Sequence, residues 1–145
     1  AGFELTQTHL PFVIDRLATY YSGLDGHQEQ KTQFFDVDAR IGDIDERLMT
    51  WLDRLSPFGA GFPVPLFRIV GARINDIVKL RGGHLRFRLE DIQTKTKIDG
   101  VLFSPSPRIV ENLPQKGAVT DFIAELQWNY FGGNKGVQIL VRDIF

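Results

Sequence analysis

The sequence predicts an α+β chain whose larger part, residues 66–145, is a closed five-stranded β-barrel preceded by a helix-strand-helix appendage. Three observations carry that reading. The apolar period is helical at both ends of the first half and becomes two beyond residue 65. A Pro- and Gly-rich run separates the two regimes. Pro, Gly and Asn then punctuate five short apolar runs. With 145 residues, 43% hydrophobic and 24% charged, the chain is one ordinary folded domain or a small domain with an appendage.

In order along the chain, Leu10, Val13, Ile14, Leu17 and Tyr21 recur at helical spacing. Thr8 is the expected N-cap, and Pro11 falls in the first turn, where a missing N–H is tolerated. The helix should end near Gly23 to Gly26, and a short strand is expected around Phe34 to Arg40. Asp43, with Glu46 three residues later, has the spacing of a capping box. Leu48, Trp51, Leu52 and Leu55 give this second helix its buried stripe, and it stops at Ser56-Pro57, because proline disfavours helical backbone in the residue before it.

Residues 56–65 are the connector, which divides the chain into 1–55, 56–65 and 66–145. The barrel strands are expected at about Leu66 to Val78, His84 to Glu90, Lys95 to Ser104, Val119 to Trp128 and Val137 to Asp143. A short helix over Pro107 to Leu113 falls between the third and fourth. Five strands with a helix after the third is the order of an OB barrel. So long a first strand must bend, and Gly71 is placed to supply the kink.

The net charge of −1 conceals an asymmetry. Residues 1–62 carry 10 acidic and 5 basic side chains, whereas 63–145 carry 8 acidic and 12 basic. Leu85, Phe87 and Leu89 alternate with His84, Arg86, Arg88 and Glu90, so one face of that strand is core and the other basic. The outer face of the second and third strands, with its flanking loops, is where OB barrels hold oligonucleotides. Arg86, Arg88, Lys95 and Lys97 fall on it, with Lys79 and Arg81 leading in from the first hairpin. Single-strand binding also calls for aromatic rings on which bases stack. The loop from Trp128 to Lys135, containing Asn129, Tyr130, Phe131, Gly132, Gly133 and Asn134, offers Trp128 and Tyr130 as stacking candidates and Lys135 as a cation. The plainer alternatives are a solvated barrel exterior and aromatics that cap the barrel end or meet a partner protein.

Other chemistries find little support. The absence of Cys excludes disulfides, thiol catalysis and cysteine metal sites. His9, His27 and His84 lack metal-ligand spacing, and Asp36 with Asp38 has no evident third ligand. Gly82-Gly83 and Gly132-Gly133 are hairpin tips rather than phosphate loops, since no helix follows either. There is no nucleophile triad or Walker motif, so no active site is visible. No apolar stretch approaches the roughly 18 residues of a membrane span, and the N-terminus has no secretory pattern, so a cytoplasmic location without membrane contact is expected. The chain opens on Ala1, as a processed or excised piece would.

The run Leu55-x-Pro57-Phe58-Gly59-x-Gly61-x-Pro63-x-Pro65-x-Phe67 resembles the L-x-P-F-G-x-G-N-P-x-P-x-F connector before the OB domain of RecJ-type single-stranded-DNA exonucleases of the DHH family. His84 to Leu89 after a Gly pair, Ile98 to Phe103, Trp128-Asn129 and Gln138 to Ile144 are similar too, and Ala1-Gly2-Phe3 resembles the end of the family's G-G-H-x-x-A-A-G-F motif. Phe62 stands where the family has Asn, and Tyr130 to Gly133 lengthen its short W-N-G turn. The resemblance implies a C-terminal portion: residues 1–55 as the tail of the DHH-associated domain with its connecting helix, then the OB domain. It implies single-stranded DNA as partner, a DHH core in cis, and Mn or Mg for the parent's 5′-3′ hydrolysis. With no DHH motif, this chain needs no cofactor and should be inactive alone. The alternative is a protein-interaction OB module whose basic face recruits an acidic repair or replication partner. A third possibility, a small enzyme using Asp36 and Asp38 with a metal, has the least support.

Overall fold

The structure is a computed structural model that describes residues 6–22, 34–130 and 135–145. The expected helix end at Gly23 to Gly26, His27, the N-terminal Ala1-Gly2-Phe3 and the loop residues Phe131 to Asn134 lie outside those described. The chain forms two compact units, 1–32 and 33–145. In the first, a 3-10 turn over Gln7–His9 runs into helix α1 (Leu10–Ser22), with Pro11 in its first turn. The helical backbone therefore starts before Thr8. Thr6 takes the cap position, with its hydroxyl 2.8 Å from His9 Nδ1.

The second unit holds β1 (Val37–Ala39), α2 (Glu46–Leu55), β2 (Phe67–Lys79), β3 (Leu85–Asp91), β4 (Lys97–Leu102), α3 (Pro107–Glu111), β5 (Val119–Asn129) and β6 (Gly136–Ile144). Strands β2, β3, β4, β6 and β5 pair in that order, and β5 returns to β2, which closes a five-stranded barrel. The pairings are antiparallel except β4–β6, so the barrel is mixed. Strand β1 adds a parallel sixth strand on the first residues of β2, Val37 opposite Phe67.

Gly71 does bend β2. It sits at φ +63°, a conformation open to glycine without penalty, and the register against β5 breaks between Ile69 and Ala72 there. Asp121 Oδ1 accepts the freed Gly71 N–H at 2.9 Å. A second irregularity between Ile74 and Asp76 lifts Asn75 out of the β3 ladder, and its amide donates to Glu90 at 3.0 Å. The barrel interior is filled by Ile69, Ile74, Phe87, Leu89, Phe122, Ile139 and Val141, all essentially inaccessible to water, with Phe87 edge-on to Phe122. Burial on this scale, about 1.5–3 kcal/mol per large apolar side chain, is what holds the closed sheet.

The second helix starts two residues later than the capping-box spacing suggested. Asp43 ends a 3-10 turn (Ile41–Asp43) and accepts the Arg40 N–H at 2.8 Å, whereas Asp45 caps α2 by accepting from the Leu48 N–H at 2.8 Å. Its buried stripe is rotated accordingly. Met49 is buried and Leu48 and Leu52 half-buried, while Leu55 is exposed and Trp51 lies 59% exposed beneath the Arg54 guanidinium. The Pro/Gly run lies inside the second unit, since β1 pairs with β2 and α2 packs on β5 across it. Within the run, Gly59 and Phe62 exchange backbone hydrogen bonds, which brings the Phe62 ring to 5.5 Å from Phe58. No helix among the described residues is long and apolar enough to cross a membrane.

Candidate nucleic-acid interface

Strands β3 and β4 present one clean inner face: Leu85, Phe87, Leu89, Ile98, Gly100 and Leu102 are all buried. Their outward residues fall into rows set by the cross-strand register. Val78, Arg86 and Val101 stand abreast, then Asp76, Arg88 and Asp99, then Arg73, Glu90 and Lys97. The β2–β3 loop borders the first row. At the other end Lys97 and Asp99 line an open groove of about 380 Å³ with Asn129, Lys135 and Val137, at the base of the β5–β6 loop. The face is thus bounded by the two loops that bracket OB ligands.

The basic residues expected on this surface stand among carboxylates. Asp76 from β2 and Asp99 from β4 flank Arg88, and Lys97 Nζ reaches Glu90 at 4.0 Å. Arg86 differs, because its cross-strand neighbours are two valines and its Nε is buried without a hydrogen-bond partner. Lys79, Arg81, Arg86 and Arg88 form no ion pair with a described residue.

Lys95 is not on the strand. The buried Asp91 carboxylate gathers the N–H groups of Gln93 at 2.8 Å, Thr94 at 3.0 Å and Gly42 at 3.3 Å, prolonging the β3–β4 turn until β4 begins at Lys97. Lys95 sits in that turn at φ +63°, with its ammonium folded back on the Ile92 carbonyl at 2.9 Å. Donation by the Thr94 N–H, helped by Gln93 and Gly42, holds the Asp91 carboxyl below the usual aspartate range despite its burial.

The two stacking candidates separate. Trp128 is half-buried, its indole N–H donates to Asp53 of α2 at 2.9 Å, and Lys135 Nζ lies 3.6 Å from its ring centre. Trp128 and Lys135 thereby serve each other and the helix contact, a positioning role sequence period does not reveal. Tyr130 is 65% exposed. One aromatic was missed as a candidate. Phe103, 58% exposed, follows β4 on the outward side and meets His84 edge-on, with ring centres 5.0 Å apart. The period of two that groups it with Lys97, Asp99 and Val101 was the available signal.

The carboxylates of Asp36, just before β1, and Asp38, within it, make structural contacts. Asp36 accepts the Leu66 N–H at 2.8 Å, and Asp38 receives a two-pronged Arg68 guanidinium at 2.7 Å. The same guanidinium keeps the Asp38 carboxyl below its usual range. No group of three metal-ligating side chains occurs among the described residues, so they do not fit the divalent ions of a nuclease centre.

A closed mixed barrel with this strand order, and with its open outer face between these two loops, defines an OB-fold protein. The RecJ OB domain family model matches residues 35–143, and the chain belongs to that family. Among solved structures, RecJ from Thermus thermophilus in complex with Mn2+ is 20% identical with TM-score 0.57, covering 99% of this chain and 20% of the RecJ chain. The Mg2+ complex of that protein is 21% identical, also with TM-score 0.57, over 99% of this chain and 21% of its own. This chain therefore spans about a fifth of the RecJ structures it matches. Rim1, a mitochondrial single-stranded DNA binding protein of S. cerevisiae, is 20% identical with TM-score 0.42 over 55% of this chain and 89% of Rim1. No curated protein is matched by the sequence.

Proposed function

We propose that the barrel binds single-stranded DNA across the outer face of β3 and β4. Within a RecJ-like 5′-3′ exonuclease it holds the strand for a DHH catalytic core carried elsewhere in the parent. The observation that carries the reading is Arg86 and Arg88 standing outward without ion pairs to any described residue, between the Arg81 loop and the loop bearing Tyr130 and Lys135. Guanidinium groups so placed neutralise phosphates and release counterions. Membership in the RecJ OB family supports the choice of DNA. The divalent ions, Mn or Mg, belong to the missing core in this reading, and this chain contributes grip rather than bond cleavage.

Anisotropy of a labelled oligothymidylate, measured across salt concentrations, tests the proposal. Arg86→Ala with Arg88→Ala should weaken binding and reduce the slope of log K against log salt by about 1.4, or roughly 0.7 per lost phosphate contact. Unchanged affinity and slope would rule out this face. An acidic peptide that bound as tightly as the oligonucleotide would move the reading to a protein-interaction module.

A further inference from the structure

The β2–β3 end of the face contains a side chain arrangement that phosphate contact does not explain. Phe103 is exposed, yet it is held. His84 packs its ring edge-on against Phe103 and uses Nδ1 to accept the backbone N–H of Ser104 at 3.0 Å. Ser104 adopts φ +46°, a left-handed conformation that non-glycine residues seldom take unless the surroundings fix it. On the far side of the imidazole, Gly82 at φ +85° leaves room for the ring. A Cβ there would lie 3.3 Å from His84 Nε2. The hairpin is closed beneath by Leu80 N–H to His84 carbonyl at 2.8 Å and Gly83 N–H to Leu80 carbonyl at 3.2 Å.

Phe103 also has a patterned neighbourhood. Leu85 pairs with Leu102 and Arg86 with Val101, so Phe103 lies diagonal to Arg86 across the two strands, within reach of a long side chain. Val78 and Val101 complete an apolar strip around the guanidinium, whose Nε has no partner. A flat, apolar, exposed ring fixed beside a cation suits a nucleobase with its phosphate better than it suits water.

We infer that Phe103 is a nucleobase-stacking platform at the β2–β3 end of the face, and that His84 is the residue that positions it. This rests on the DNA-binding reading above and adds a base contact to it. Pre-organisation is the point of the His84 and Ser104 contacts, since a ring already held in place loses little freedom when a base settles on it.

The test compares an oligothymidylate with an abasic strand of equal length. Phe103→Ala should weaken oligothymidylate binding by roughly 5- to 150-fold, leave the salt slope unchanged, and be rescued by Phe103→Trp. On the abasic strand, wild type and Phe103→Ala should bind alike. His84→Ala should cost less than Phe103→Ala and add nothing to it in the double variant, and His84→Gln, whose side-chain oxygen can still accept from Ser104, should restore most of the loss. Equal binding of oligothymidylate by wild type and Phe103→Ala overturns the stacking assignment while leaving the face intact. Failure of the wild type to bind any strand overturns the underlying reading instead.

Discussion

The two ends of the outer β3–β4 face are built from the same strands by the same alternation, yet they present different chemistry. Beside the β2–β3 loop, one guanidinium, Arg86, stands among Val78, Val101 and the exposed ring of Phe103. Towards the β5–β6 loop, Arg88 lies between Asp76 and Asp99, and Lys97 next to Glu90. In the proposed reading the first end takes a base and a phosphate together. The second sets Lys97 at 4.0 Å from Glu90 and leaves Arg88, unpaired among the described residues, between two carboxylates whose field offsets its own, so in the proposed reading its grip on a strand is weaker and more sensitive to salt. What a cation can do is therefore decided by the residues that register sets opposite it.

The largest perturbation removes the difference between the ends by disturbing the strand they share. A Cβ on Gly100 would lie 3.0 Å from Ile139 Cγ1 and 3.4 Å from Val141 Cγ2, so Gly100→Val should overpack the β4–β6 contact by about 1–3 kcal/mol. Urea unfolding would read the loss, and DNA binding at both ends should fall together as the folded fraction falls. A smaller effect is confined to the charged end. Asp91→Ala strands three backbone N–H groups, those of Gln93 and Thr94 in the β3–β4 turn and that of Gly42, a loss of about 1–2 kcal/mol. Because the folded Asp91 carboxyl titrates below its ordinary value of about 3.9, its stabilisation is complete above that value. It is lost as pH falls through the depressed folded pKa. The stability gap between wild type and Asp91→Ala should thus be constant near neutrality and close only in strong acid. A gap that persisted there would assign the effect to something other than the carboxylate.

The barrel could be read from the sequence because its interior obeys one rule. Leu85, Phe87 and Leu89 must face inward, and strand ends follow within a residue or two. Gly71 was readable for the same reason, since a long strand in a closed barrel needs a bend. The outer face obeys no such rule. Asp76 and Asp99 lie on different strands from Arg88, and the break between Ile74 and Asp76 decides which β2 side chain meets it. Lys95 misled because a buried carboxylate, Asp91, extends the turn through it, and local alternation carries no trace of an acceptor four residues away. The Trp128 contact was not readable because its partner Asp53 lies 75 residues earlier, on a helix. Phe103, by contrast, was on the correct side by period alone, and only its contact with His84 distinguishes it from an incidental surface ring.

The smallest expected effect bears most directly on the comparison. If Arg88 is a phosphate ligand restrained by its neighbours, neutralising them should release it. Asp76→Asn with Asp99→Asn should therefore tighten oligothymidylate binding by up to roughly fivefold at low salt, the range that exposed ion pairs support. The gain should vanish at high salt, where both the restraint and the contact are screened. It should also be the same in the Phe103→Ala background, since the ring stands at the other end of β4 and carries no charge. A double substitution that left affinity untouched would mean that Arg88 does not meet the strand. The DNA path would then narrow to the apolar end, around Arg86 and Phe103.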